Sequence, residues 1–354
     1  MIGNRIKQAR ESTGLSLRAL AEKAEISAMA ISKYEREEAT PSSDVLLRLA
    51  KALDVRTEYF FRQAEVDLSD IDFRNEDKLS KKEENTILAD IRDQIERWLE
   101  LEQVMPVPWS KPFKIPENLP ARINSFDDIE EVAVVMRQAW DLGFNPIPDV
   151  IDELEGHGIK VFMTPHDAGN KFNGLVAKVN DNPMIVVSEE WPGDRQRFTL
   201  AHELGHLVLK GRLKKTLNEE IACHRFAGAF LVPKSQVIEV LGSRRSWLEP
   251  QELSLLKAEY GLSMCAWLFR ARDTGVLPDN RYREMWKYFN ERGWKQKEPG
   301  DQYPKETTRL FQQLVYQALA EDQISESKAA ELMGYSLMDF HAIRNMEGHY
   351  EAAG

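Results

Sequence analysis

The segment Phe198-Thr199-Leu200-Ala201-His202-Glu203-Leu204-Gly205-His206 concentrates the metal-binding chemistry of this chain. Two histidines four apart fall on one helix face, where both imidazoles can bind one metal, and the glutamate between them can act on water held there. Zinc is the cofactor this pattern implies, and peptide-bond hydrolysis is the first reaction it suggests. Glu203 would serve as general base, taking a proton from a water whose pKa the metal lowers to about 7 and passing it to the leaving amine.

A catalytic zinc keeps three protein ligands and one open position, so His202 and His206 need a partner from elsewhere in the chain. Asn218-Glu219-Glu220-Ile221-Ala222-Cys223-His224-Arg225-Phe226-Ala227 supplies candidates. With Ile221, Phe226, Ala227 and Phe230 read as core-facing, a glutamate near the start of this stretch can reach back to the histidine helix. Glu220 is preferred to Glu219, because it shares a face with His224, which could then hydrogen-bond a ligand from outside. A site of His202, His206 and His224 is the alternative. The plain structural reading is two histidines on a partly buried helix, but the apolar flank Leu200, Leu204, Leu207, Val208 and Leu209 gives the motif the helical setting it needs.

The elements around the motif can be read in outline. After Gly156 and Gly158 come three apolar runs, Ile159 to Met163, Gly174 to Val179 and Met184 to Val187, with Asn180-Asp181-Asn182-Pro183 as a hairpin turn between the last two. They predict a small antiparallel sheet feeding into the histidine helix. Helices are expected over 125–155 and, beyond the motif, over 219–231, 250–260, 263–274 and 281–292.

Residues 1–62 are different. Ile6, Ala9, Leu15, Leu17, Leu20, Ala21, Ala24, Ile26, Ile31, Leu46, Leu47, Leu49, Ala50 and Leu53 recur at helical spacing, with Ser16 and Ser27 as N-caps. The whole chain carries a net charge of -11, yet this segment holds 11 Lys/Arg against 9 Asp/Glu. Any contact with nucleic acid therefore belongs at this end, since phosphate binding rests on clustered cations. From Glu65 to Pro120 an acidic stretch leads into a helix, Lys81 to Glu102, and a proline-spaced connector through Pro106, Pro108, Pro112, Pro116 and Pro120. That helix could pair with a second subunit.

At 354 residues, 42% hydrophobic and 30% charged, the chain is long enough for two or three cores. Its two cysteines, Cys223 and Cys265, make no disulfide framework, and Met1-Ile2-Gly3-Asn4-Arg5 lacks the apolar stretch of a secretory signal. No apolar run approaches the ~20 residues of a membrane span. A cytoplasmic protein without a membrane partner is expected.

With these residues in view, the chain resembles a known family. Arg195 to His206, followed by Arg225-Phe226-Ala227-Gly228-Ala229-Phe230-Leu231-Val232-Pro233, is similar to the ImmA/IrrE metallopeptidases, and the likeness runs upstream through Leu154 to Val161 and downstream through Tyr260-Gly261-Leu262-Ser263. It implies a zinc-dependent endopeptidase that cleaves a DNA-bound repressor or similar regulator. It also implies a third zinc ligand in the helix before the Phe-Ala pair, a place Glu220 fits. Cys223-His224 stands where the family often has Ala-Asn or Ala-Asp.

The N-terminal segment resembles the Cro/XRE repressors over its whole length. Ser16 to Ala24, a turn at Glu25-Ile26, and a helix from Ser27 to Arg36 have the spacing of a helix-turn-helix whose second helix enters the major groove. The resemblance implies a double-stranded DNA operator, with Ala28, Met29, Ser32 and Lys33 toward the bases, Arg18 and Arg36 on phosphates, and Ser27 on the same DNA-binding face. Leu17 replaces a common glutamine and Glu25 the usual turn glycine. A small helical domain that only binds protein or dimerises is the competing reading. Ile324 to Ser336 can be laid over Leu15 to Ser27, matching two serines and an Ala-Glu pair, which reads either as a second helix-turn-helix-like unit or as generic packing of capped helices.

The expected architecture is α+β, helix-rich and multi-domain. A helix-turn-helix domain spans 1–64, an acidic linker with one long helix 65–120, a zincin-like metallopeptidase domain with a small antiparallel sheet 121–275, and a helical C-terminal region 276–354. The expected function is that of a DNA-binding regulator, a homodimer, which cleaves a repressor or other partner protein in a stress, mobile-element or toxin-antitoxin setting, self-cleavage included. The alternative is a non-proteolytic regulator or antitoxin that uses the zinc fold to sense a signal or dock a cognate toxin.

Overall fold

Serine caps set out the N-terminal helices of the computed structural model, which describes residues 2–61, 69–74, 79–106, 111–166, 172–179 and 182–347. In chain order these are α1 (Ile2–Ser12), α2 (Leu17–Ala24), α3 (Ala28–Glu35), α4 (Ser43–Leu53), β1 (Ser69–Arg74), α5 (Lys81–Val104), α6 (Phe126–Ala139), α7 (Val150–Gly156), β2 (Lys160–Thr164), β3 (Gly174–Val179), β4 (Asn182–Ser188), α8 (Gly193–Leu209) and α9 (Glu219–Leu231). Then follow α10 (Lys234–Leu241), α11 (Pro250–Tyr260), α12 (Met264–Asp273), α13 (Asp279–Glu291), α14 (Leu310–Ala320), α15 (Glu326–Met333) and α16 (Leu337–Arg344). Asn180 and Asp181 of the expected turn, Pro108 of the expected connector and Glu65 of the acidic stretch lie outside the described residues.

The chain divides into two units, α1–α5 with α14–α16 and β1–β4 with α6–α13. In the first, Ser16 and Ser27 accept the N–H groups of Ala19 and Ala30, both at 3.1 Å, satisfying donors that open α2 and α3. Ile6, Leu20, Ile31 and Leu49 are fully buried between α1, α2, α3 and α4. Glu25 ends α2 in the left-handed region at φ 54°, a conformation a side chain resists by about 1–2 kcal/mol. Glu25→Gly is therefore expected to raise stability by about 1 kcal/mol. Urea unfolding followed by circular dichroism reads this, and a loss of stability would mean the Glu25 side chain contributes more than its backbone costs.

Helix α5 opens on a capping box, Ser80 with Glu83. Its apolar face, including Ile87, Ile91, Ile95 and Leu101, is buried within the unit. Glu96 forms an interior ion pair with Arg5 of α1, and the Trp98 ring packs 5.3 Å from Phe311 of α14. The apolar face of α5 is thus packed within its own unit. The tail repeats the turn of the N-terminal segment. Ser325 caps α15, Gly334 ends it in the left-handed region at φ 75°, and Ser336 caps α16, at the same intervals as Ser16, Glu25 and Ser27. Phe340 is buried where Ile31 is, while Met338 is exposed where Met29 is.

The second unit is built on a four-stranded sheet in the order β1-β3-β4-β2. β3 and β4 pair antiparallel, Val179 opposite Asn182, but β2 joins β4 in parallel, Val161 opposite Ile185. The sheet is therefore mixed where a wholly antiparallel one was expected. Because the β3–β4 hairpin returns its second strand to the middle, β4 runs beside β2 in the same direction. β1 was not foreseen. It comes from the acidic stretch and pairs antiparallel with the free edge of β3.

Near the end of α7, Glu155 keeps its carboxyl buried and accepts the Val161 N–H. Burial, with Asp152 and Asp149 nearby, pushes it up to about 8. The folded protein thus keeps this proton through neutral pH while the unfolded chain releases it above the usual carboxylate range. Stability contributed by the neutral group is complete on the acid side and falls as pH rises toward 8, by up to ~1.4 kcal/mol per pH unit. Glu155→Gln is expected to flatten that slope and to be more stable than the parent at pH 8. Chemical unfolding at pH 5, 6.5 and 8 checks this, and equal slopes would refute it.

Candidate metal centre

Helix α8 is buried almost all round, lying against β3 and β4 on one side and α9 on another. Its two histidines therefore meet protein, not solvent. His202 and His206 are 8% and 3% exposed, with their Nε2 atoms 3.0 Å apart. Two nitrogens bound to one tetrahedral zinc at ~2.0–2.1 Å would sit about 3.3 Å from each other, so the separation suits a shared ion.

The adjacent glutamates of α9 go to different nitrogens. Glu220 places Oε2 3.3 Å from His202 Nε2 and Oε1 3.6 Å from His206 Nε2. Glu219 places Oε1 3.1 Å from His206 Nδ1, the far side of the ring. Ligand atoms of His202, His206 and Glu220 all lie within 4.8 Å of one another, a donor set of two imidazoles and one carboxylate that could hold zinc. Cys223 Sγ also meets His206 Nδ1, at 3.1 Å, and so faces away from the convergence. His224 packs its ring 4.5 Å from that of His202 and 5.8 Å from Phe198, and it does not join the ligand group found among the described residues.

The close approach of α9 depends on Gly205. A β-carbon there would stand 3.0 Å from the Phe226 ring and 3.4 Å from the Cys223 Cα. The far end of α9 is fixed by arginines. Arg137, buried, donates to the carbonyls of Phe230, Gly143 and Asn145 at 2.6, 2.7 and 2.6 Å, and burial lowers it to about 10. Arg270 pairs with Glu130 at 2.7 Å and donates to Val232 O at 2.8 Å, and Arg225 joins the same carboxylate at 2.7 Å. These contacts tie α9 to α6 and α12, holding the glutamates in register with the histidines.

Glu203 is 2% exposed and points toward the start of β3, where a β-carbon built on Gly174 would lie 3.3 Å from its Oε1. The first turn of α8 is fastened by residues the sequence reading did not single out. Gly193 N–H donates to Tyr303 O at 3.2 Å, the Gln196 Oε1 accepts Glu306 N–H at 2.9 Å, and Arg197 pairs with Glu306 at 2.5 Å. Asp194 meets Lys257 at 3.1 Å, and Lys257 meets Glu298, which also accepts the Met264 and Cys265 N–H groups opening α12. No spacing rule would have linked residues a hundred positions apart.

On the helix-turn-helix face Arg18, Ser27, Met29, Lys33 and Arg36 are exposed, and Ala28 and Ser32 are half-buried. Met29 is 70% exposed, and the Ser27 hydroxyl is engaged in capping α3. Arg36 carries an exposed ion pair with Glu38 at 3.0 Å, a contact a phosphate would have to replace. Among the described residues no helix is long and apolar enough to cross a membrane.

Comparison with known proteins finds relatives of both the peptidase-like and the helix-turn-helix segments. The family profile described as IrrE N-terminal-like domain, of the M78 peptidases, matches residues 154–272, and a helix-turn-helix profile matches residues 6–60. The HTH-type transcriptional regulator ImmR of Bacillus subtilis (strain 168) is 32% identical over 93 residues, which cover 26% of this chain and 69% of that protein. No solved structure matches. The chain belongs to the XRE-type helix-turn-helix regulators of the ImmR kind, with an IrrE-like M78 peptidase domain fused to the DNA-binding module.

Proposed function

We propose that this regulator is a zinc-dependent endopeptidase that cleaves a repressor or other regulatory partner protein. The observation that carries the reading is the convergence of His202, His206 and Glu220 beside an intact, buried Glu203. Those three residues would hold zinc, which when bound would supply Lewis acidity toward the scissile carbonyl and water. Glu203 removes the proton from the attacking water and delivers it to the departing amine. Glu219, accepting from His206 Nδ1, keeps Nε2 turned toward His202 and Glu220. Ala28, Met29, Ser32 and Lys33, on the helix α3 that Ser27 caps, face bases of a double-stranded operator, with Arg18 and Arg36 on phosphates.

The test is to load wild type and Glu203→Gln with zinc and incubate each with proteins encoded by neighbouring genes. Metal in both, with cleavage by wild type alone, is the expected result. Intact partners in both reactions, alongside tight binding of a toxin or of the operator, would replace the peptidase reading with that of a docking scaffold.

A further inference from the structure

We propose that β1 is an internal stand-in for substrate, occupying the sheet edge along which an extended polypeptide must lie to be cut; this rests on the peptidase reading above. The edge in question is the side of β3 turned away from β4. It begins at Gly174, the residue whose missing β-carbon leaves room beside Glu203. A peptide hydrogen-bonded along this edge carries its backbone past the catalytic base, and strand addition supplies affinity without requiring one sequence.

That position is already filled by the chain itself. Arg74 stands opposite Gly174, Phe73 opposite Leu175 and Asp72 opposite Val176, antiparallel, so the strand runs up to the Glu203 end of the edge. Its register slips between Ser69 and Asp72. The sequence Ser69-Asp70-Ile71-Asp72-Phe73-Arg74 also contains two aspartates, a residue strands disfavour, whereas β3 and β4 are rich in Val, Ile, Leu and Met. β1 is therefore built to be the most readily exchanged strand of the sheet. A partner polypeptide replaces it by pairing with β3 in the same direction, and the site stays closed to unstructured chains that cannot compete.

The experiment uses full-length, zinc-loaded protein carrying Glu203→Gln so that binding is read without hydrolysis. Asp72→Pro with Phe73→Pro removes ladder donors at neighbouring positions and so frees the edge whichever of the two faces β3. Fluorescein-labelled casein, an unstructured chain, is expected to bind the proline variant about tenfold or more tightly than its parent, the gain for an edge that is open a tenth of the time or less. A synthetic peptide of residues 67–76 is expected to displace the casein, and hydrogen exchange in residues 174–179 to quicken. Equal casein affinity in both proteins, with unchanged melting and faster exchange, overturns the inference. So does a peptide that fails to compete, which also covers a variant whose fold has suffered. Failure of the peptidase reading looks different: casein binding changes as stated, but the proline variant with Glu203 intact leaves casein uncut and wild type leaves every neighbouring-gene protein uncut.

Discussion

Replacing Glu220 by glutamine is expected to strip zinc from the protein, while the same change one residue earlier, at Glu219, weakens binding by only about 10- to 100-fold. The two side chains are chemically identical and similarly exposed, so the difference comes from the nitrogen each one meets. Glu220 approaches the Nε2 atoms of both histidines, at 3.3 and 3.6 Å. Glu219 meets Nδ1 of His206, where it orients the ring and makes its other nitrogen a better donor. Structural zinc in small domains is worth ~10–16 kcal/mol, so losing one ligand of three costs roughly 10³-fold or more in affinity. Titration against a chromophoric chelator at neutral pH measures both variants on one scale. A Glu219→Gln defect equal to or larger than that of Glu220→Gln would reverse the assignment.

This pair shows where the sequence stopped being informative. The spacing of His202, Glu203 and His206 dictates a shared helical face, because four residues make about one turn. The choice between two adjacent glutamates depends on how α9 crosses α8, and that crossing is set by tertiary contacts: the bare Cα of Gly205 under Phe226 and the arginines that hold the C-terminal end of α9. The sequence favoured Glu220 through its helical relation to His224, yet the geometry gives His224 a ring contact with His202 and leaves the convergence to the carboxylate.

Periodicity carried most of the helices and the β3 strand for the same reason, since β3, α9 and α11 begin and end where their apolar pattern and breakers do. β1 escaped notice because nothing local marks it. A strand with two aspartates among charged neighbours pairs only when an edge is offered from a hundred residues away. The tail is the converse case. Ser325, Gly334 and Ser336 were visible as a likeness to Ser16, Glu25 and Ser27, and cap residues act locally, so the same turn forms in both places. The likeness extends to geometry, not to charge: residues 321–347 hold six acidic side chains against Lys328 and Arg344. Such a surface lacks the cations that phosphate contact requires.

Arg197→Met is expected to be the most destabilising of the substitutions considered for the second unit, at about 3–5 kcal/mol, because it leaves Glu306 buried without its cation. Both side chains are almost wholly enclosed, and their contact is 2.5 Å. Arg197 also donates to the carbonyls of Pro148 and Ile147, which methionine cannot replace. Burial still pushes Glu306 up to about 7 in spite of the guanidinium. Its charge is therefore held at a cost, and removing that charge should hurt less than removing the partner. Glu306→Gln keeps an acceptor for the Val150 N–H, now met at 3.0 Å, and is expected to cost only ~1–2 kcal/mol. At 2–4 °C per kcal/mol for a unit of this size, Arg197→Met lowers the melting temperature by about 10 °C and Glu306→Gln by a few degrees. Calorimetry on zinc-free protein separates this from metal linkage, and equal losses in the two variants would show that shape, not charge, holds the segment around Glu306 against α8. The consequence reaches the candidate metal centre through one helix. Arg197 lies five residues before His202 on α8, so a segment loosened at Glu306 frees the turn on which the first histidine is mounted.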